Sequence, residues 1–184
     1  MERITIVSGA PGCGKTTLAR ALAQRRASGL HLVSDLFYSF FAHPVDPALP
    51  AAQAQNAVTI QAIGAAAGAF ASGGYRVFLD GVFGPWFLPL LVSQLPANAS
   101  VDYLILDVSR RSARERVARR EGDMDRGRNT RVEHMHAAFA EDPRYAAHHV
   151  DSEGRSAAAV LHVVESALAG SDFRLERDFV LSAQ

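Results

Sequence analysis

Gly9-Ala10-Pro11-Gly12-Cys13-Gly14-Lys15-Thr16 decides how this chain is read. The octet fits G-x-x-x-x-G-K-[ST] at every fixed position, the pattern of a loop whose backbone N–H groups surround a phosphate. Glycines let the backbone curl with those groups pointing inward, and the helix that follows brings its positive end to the same place. Lys15 is the only lysine in the sequence; the other eighteen basic residues are arginine. A compact ammonium on a flexible stem suits the space between β- and γ-phosphates, and the Thr16 hydroxyl suits Mg²⁺. Gly9, Ala10, Pro11, Gly12, Cys13, Gly14, Lys15, Thr16 and Thr17 are therefore the candidate nucleotide-binding residues. Outward from the octet, Arg3-Ile4-Thr5-Ile6-Val7-Ser8 reads as a buried parallel strand, and Leu18, Leu22 and alanines 19, 21 and 23 read as a helix. Strand, glycine loop and helix is the context the motif requires.

The 184 residues suffice for one α/β domain with a full core, spanning 1–184, and are too few for two ordinary ones. Formal net charge is zero, so nothing draws the whole molecule toward nucleic acid or an anionic membrane. No apolar run reaches the roughly 18 residues of a spanning helix, and the N-terminus enters a strand with no targeting signal. A lone cysteine excludes an internal disulfide and fits a reducing, cytoplasmic setting. The expectation is a cytoplasmic protein with a small-molecule partner, without nucleic acid or membrane; a homodimer is left open.

Strands and helices alternate along the chain. Further strands are predicted at 30–34, 75–80, 101–107 and 148–151, and helices at 51–72, 110–121, 131–141 and 156–169. In the 51–72 helix, Ile60, Ile63, Ala67 and Phe70 form one inward stripe. The tail 170–184 is read as an extra strand or as surface packing. Such alternation implies a parallel sheet covered on both faces, with ligands beyond the carboxyl ends of its strands.

At that edge stand the residues suited to chemistry. Asp80 ends the strand Val77-Phe78-Leu79 and is expected to hold Mg²⁺ opposite Thr16. Asp35 follows the second strand and is expected to face an acceptor hydroxyl; capping a short helix is the competing role. Trp86, the only tryptophan, is expected to wall an acceptor pocket, or to join the core. Asn56 extends the inward stripe one turn toward the site, to contact substrate or to make a structural hydrogen bond. Nine of the eighteen arginines lie between 110 and 131. Arg116 and Arg120, four apart on one helix face, are the candidates to stabilise a transferring phosphoryl group, and 119–131 reads as an Arg-rich lid.

The octet, Ser34-Asp35, Val77–Gly81, the Arg116–Arg120 helix and Val150-Asp151-Ser152 resemble the small-molecule kinase branch of phosphate-loop proteins. The likeness is greatest to chloramphenicol phosphotransferase-like proteins, with gluconate and shikimate kinases further off, and covers the chain to about residue 169. It implies a three-layer α/β P-loop NTPase fold with about five parallel strands and a lid, and Asp35 as the acceptor-activating carboxylate. Leu36-Phe37-Tyr38 replaces more polar surroundings, so the acceptor pocket is not carried over. The reading is an ATP- and Mg²⁺-dependent phosphotransferase acting on a hydroxyl of a small metabolite or antibiotic-like molecule. Its rivals are a nucleotide or nucleic-acid 5′-hydroxyl kinase and a nucleotide-binding module without catalysis.

Overall fold

The computed structural model describes residues 2–121, 139 and 142–182. Five strands, β1 (Arg3–Gly9), β2 (Gly29–Val33), β3 (Arg76–Asp80), β4 (Ser100–Asp107) and β5 (His149–Asp151), form one sheet in the order β2-β3-β1-β4-β5. Every pairing is parallel. The helices among the described residues are α1 (Lys15–Gln24), α2 (Asp35–Tyr38), α3 (Gln53–Ser72), α4 (Leu88–Val92), α5 (Arg110–Glu121), α6 (Ala157–Gly170) and α7 (Arg177–Leu181).

Side-chain alternation along the strands divides the core in two. Ile4 and Ile6 of β1, Val77 and Leu79 of β3, and Val101, Tyr103 and Ile105 of β4 pack with Ile60 and Ile63 of α3 and Leu88 and Leu91 of α4. Val7, Phe78, Leu104 and Leu106 turn the other way, onto Leu18 and Leu22 of α1 and Val160 and Val164 of α6. Phe70 departs from the expected stripe. Ile60, Ile63 and Ala67 are buried, but Phe70 is 40 % exposed and meets Tyr75 edge-on. Ala71, one position further, takes the inward place in the last turn of α3, so the buried stripe runs Ile60-Ile63-Ala67-Ala71 and Phe70 turns to its edge.

The predicted strands are present within a residue or so of their expected ends, as is the 110–121 helix. The expected lid from residue 122 onward and most of the 131–141 helix lie outside the described residues. The tail adds no full strand and packs on the domain, the second of its expected forms, with Leu175 and Val180 joining the core. Arg174 makes one antiparallel bridge to Asp102, α7 follows, and the Arg177 guanidinium donates to the carbonyls of Leu95 and Pro96. Asp102, fully buried on β4, is paired with Arg3 at 3.2 Å and Arg174 at 3.0 Å. This double pairing removes the cost of an unpaired interior carboxylate.

A pH response is built in beside β4. His148 Nδ1 lies 2.8 Å from the Tyr103 carbonyl, and burial lowers its pKa below the ordinary 6.5. The native state thus binds fewer protons than the unfolded chain once pH falls below about 6.5. His148 therefore contributes stability above that pH and loses it on acidification. Melting points measured from pH 7.5 to about 5.5 should fall less in His148→Asn than in the parent.

Candidate functional site

The same alternation places the first part of the site. Asp80 lies two residues after Phe78, so it faces α1, where Thr16 donates its hydroxyl proton to Asp80 Oδ2 at 2.5 Å. On β2, Leu30 and Leu32 turn to the α3 side, which leaves His31 on the α1 side. The register pairs His31 with Phe78, and the ring reaches diagonally to put Nε2 2.9 Å from Asp80 Oδ1. Asp80 is 3 % exposed, with one oxygen on Thr16 and the other on His31. Thr16 and Asp80 thus meet as expected. His31 was missed, although the alternation Leu30-His31-Leu32 already put it on the Asp80 face.

The glycine loop is fastened from behind. Gly12 has φ +84°, and a Cβ there would lie 2.6 Å from the Ala113 carbonyl oxygen and 3.1 Å from Val117 Cγ2 of α5. Only glycine allows this backbone contact. Lys15 Nζ donates to the Ala10 carbonyl at 3.1 Å, which folds the ammonium back across the loop. Cys13 is buried, and burial raises its thiol pKa despite the nearby Lys15 cation. It is a packing residue and a poor nucleophile.

From the helix end of the loop a cavity of about 470 Å³ runs between α1 and the start of α6. Gly14, Thr17, Leu18, Arg116, Ser152 and Arg155 are among its walls. Arg116 also sets Nη1 3.5 Å from the Cys13 carbonyl, at the limit of a hydrogen bond. The turn after β5 is tied down: the Ser152 hydroxyl and amide both donate to the Asp107 carbonyl, at 2.7 and 2.8 Å, and His149 meets the Asp107 carboxylate. Glu153 accepts from the Ser112 hydroxyl and the Ser109 amide, which holds its carboxyl below its usual pKa and links this turn to α5. Ser152 and Arg155 were not singled out as site residues. Chain order separates them from the octet, and only the sheet order brings them beside it.

Other expected residues stand on the opposite side of the sheet edge. Asp35 is the first residue of α2, is exposed, and makes no hydrogen bond or ion pair among the described residues. It caps nothing: Ser34 occupies the N-cap, without a side-chain capping bond. Asn56 begins the second turn of α3, 7 % exposed; its Nδ2 donates to the Pro47 carbonyl at 2.8 Å, while its buried Oδ1 has no partner. Trp86 is 47 % exposed and leans on Phe87 and Phe139, so it is neither core nor fully solvated. The backbone of Arg120 lies in the last turn of α5; its side chain, and the expected lid from 122 onward, lie outside the described residues.

Among the described residues, no three His, Cys, Asp or Glu side chains are grouped to hold a metal by themselves. No described helix is long and apolar enough to cross a membrane.

No curated protein matches the sequence. Among solved structures, the fold is similar to that of a sugar kinase from Janibacter sp. HTCC2649, with TM-score 0.70, 19 % identity, and 92 % of this chain and 95 % of that one covered. It is similar to the APS kinase CysC of Mycobacterium tuberculosis in complex with AMPPNP and APS, with TM-score 0.65, 15 % identity, and 91 % and 98 % covered. A chain of the Pnkp1/Rnl/Hen1 RNA repair complex is also similar, with TM-score 0.60 and 18 % identity, over 74 % of this chain and 43 % of that one. These likenesses show the α/β P-loop kinase fold. The family model described as AAA domain matches residues 4–142, most of the sequence, and the chain belongs to that family.

Proposed function

We propose that the protein transfers the γ-phosphoryl group of ATP to a hydroxyl of a small molecule. The observation that carries this reading is the contact of Thr16, at the mouth of the phosphate loop, with Asp80, 64 residues away at the end of β3. It sets two hard oxygen donors beside the loop, the donor type Mg²⁺ takes when it also binds phosphates. Thr16 and Asp80 would hold that ion, which supplies charge neutralisation on the β- and γ-phosphates.

The protein's own groups have separate tasks. The loop amides and Lys15 bind the phosphates, and the Lys15 ammonium exchanges the Ala10 carbonyl for a phosphate oxygen. The cavity between α1 and α6 takes the nucleoside, with Arg116 and Arg155 at its polar end. His31 holds one oxygen of Asp80 and so fixes the carboxylate plane. Asp35, unpaired among the described residues, accepts the acceptor hydroxyl proton. A bond forms from the acceptor oxygen to the γ-phosphorus while the bond to the β–γ bridging oxygen breaks. ADP leaves, and the proton passes from Asp35 to solvent.

The test uses the single lysine. Amine-reactive labelling of Lys15 should be strongly suppressed by saturating MgATP, because the ammonium then lies against phosphate. Unchanged labelling removes the basis of the assignment. A second reading, transfer to the 5′-hydroxyl of a nucleotide or nucleic acid, has the likeness to the RNA repair complex in its favour. It predicts oligonucleotide binding that weakens steeply with salt.

A further inference from the structure

The amino end of the sheet, opposite the glycine loop, gathers arginines that the proposed chemistry does not use. Arg3 and Arg76 are the first residues of β1 and β3, and Ile4 pairs with Val77, so the two stand side by side. Alternation puts both on the face that α1 and α6 cover, Arg3 in line with Val7 and Arg76 in line with Phe78. Gly29, the first residue of β2, lies so close under α1 that a Cβ there would fall 2.0 Å from the Ala23 carbonyl oxygen. That contact lays the end of α1, with Arg25 and Arg26 just beyond it, along the same edge. Both reach Glu165 of α6, at 3.4 and 3.7 Å.

Arg3 is well anchored, donating to Asp102 and to the Leu168 carbonyl. Arg76 has no carboxylate or carbonyl of its own among the described residues. Its guanidinium lies 5.4 Å over the Phe78 ring, and its buried Nε is without a hydrogen-bond partner. Burial and the charges of Arg3 and Arg26 lower its pKa, against the opposing pull of Asp102 and Glu165. Arg26 Nε, Thr5 Oγ1 and Ser100 Oγ are also buried without a partner, and alternation sets Thr5 and Ser100 on this face. Four of the six such side-chain atoms among the described residues therefore fall in one corner, and each of the four bears a hydrogen to donate. Unpaired buried donors cost free energy and like charges side by side repel, so what the corner calls for is a negatively charged acceptor.

We infer that this corner binds a phosphate-type oxyanion, as the free ion or as a monoester. Arg76 and Arg26 donate to it through Nε–H and Nη–H, and Arg3 through Nη1, which its bonds to Asp102 and Leu168 leave unused. Guanidinium forks grip phosphate oxygens in pairs, and three forks at one corner suit a tetrahedral dianion better than a planar carboxylate. The side chains of Arg3 and Arg26 are 28 % and 38 % exposed, so the corner opens to water. The site is separate from the nucleotide's: the seven residues of β1, at about 3.3 Å each, carry the chain roughly 20 Å from here to the glycine loop. The bound anion joins β1 to β3 at the ends opposite the loop and Asp80.

Inorganic phosphate, a glycerol monophosphate and acetate are titrated into the whole chain at constant ionic strength, with chloride making up the balance, so that screening is equal throughout. Lys15→Ala serves as the background, because it weakens the loop's own hold on phosphate. Nitrogen–proton NMR follows the arginine Nε–H signals, assigned from Arg76→Gln and Arg26→Gln, and urea unfolding follows stability. Phosphate should move the Arg76 and Arg26 signals together and saturably, with a midpoint at or below about 1 mM. At about ten times that midpoint it should lower the unfolding constant about ten-fold. Arg76→Gln should abolish this stabilisation, and Arg26→Gln, a change at a partly exposed side chain, gives a second loss to measure if Arg76→Gln does not fold. A lower midpoint for the monoester assigns the corner to a phosphorylated compound, and a lower one for inorganic phosphate assigns it to the free ion. Three results overturn the inference: no saturable movement of the Arg76 signal with either phosphate, equal movement with acetate, or full stabilisation kept in an arginine variant that folds.

Discussion

Asp35→Asn is expected to leave MgATP affinity where it was and to lower phosphoryl transfer about 10²–10⁴-fold, the usual contribution of a positioned general base. Asp35 sits two residues past the end of β2, exposed and unpaired among the described residues, so its removal breaks no contact seen in the fold. The amide keeps the shape but cannot take a proton. Asp80→Asn should do something different. Its carboxylate meets Thr16 and His31, and loss of its charge should raise the Mg²⁺ concentration needed for half-maximal nucleotide binding. Isothermal titration across a Mg²⁺ series, together with single-turnover transfer, separates the two. If Asp35→Asn moves the Mg²⁺ midpoint while Asp80→Asn leaves it fixed, the two roles are exchanged.

Gly9→Ala should destabilise the fold by about 2–5 kcal/mol, since backbone strain and a forced clash add. Gly9 has φ +134°, and a Cβ there would lie 2.4 Å from the Leu106 carbonyl oxygen and 2.8 Å from Cys13 Sγ. Neither neighbour yields cheaply. Leu106 belongs to the β4 ladder paired to β1, and Cys13 is buried. Gly14→Ala is the natural control. It shares a positive φ, +105°, but a Cβ there meets nothing within 4 Å. It should cost stability through strain alone, about 1–3 kcal/mol. Urea unfolding of the two variants measures the difference, and equal losses would mean that the approach of the loop to β4 contributes nothing.

Local chemistry made much of this legible in the sequence. The β-branched run before Gly9, the octet and the alanine-rich helix after it each signal their own structure, and Thr16 needed only the parallel sheet to meet Asp80. Residues whose meaning depends on pairing were harder. His31 becomes significant only when β2 is known to lie beside β3, in a register that sets it diagonal to Asp80. Ser152 and Arg155 enter the site because β4 lies beside β1 and β5 beside β4, an order that no local pattern encodes. Phe70 was misread because two helical spacings, three and four, fit a step from Ala67, and the small Ala71 rather than the large Phe70 takes the inward place. Asn56 was legible as inward-facing, yet only the packed structure reveals that one of its two polar atoms is satisfied and the other is not.

The strand order β2-β3-β1-β4-β5 has a consequence for how such a protein changes over time. The central strand β1, which carries the loop, divides the sheet edge: Asp35, Asn56 and Trp86 belong to the β2–β3 flank, whereas Arg116, Ser152 and Arg155 follow β4 and β5. Substitutions on the two flanks share few neighbours, and distant sites combine nearly additively. Under the proposed function, one flank is then free to drift toward new acceptors while the other goes on gripping the same nucleotide. A library confined to residues 35–58 and 82–87 should therefore yield variants of altered preference without rebuilding the ATP grip, which makes this chain a practical starting point for laboratory evolution.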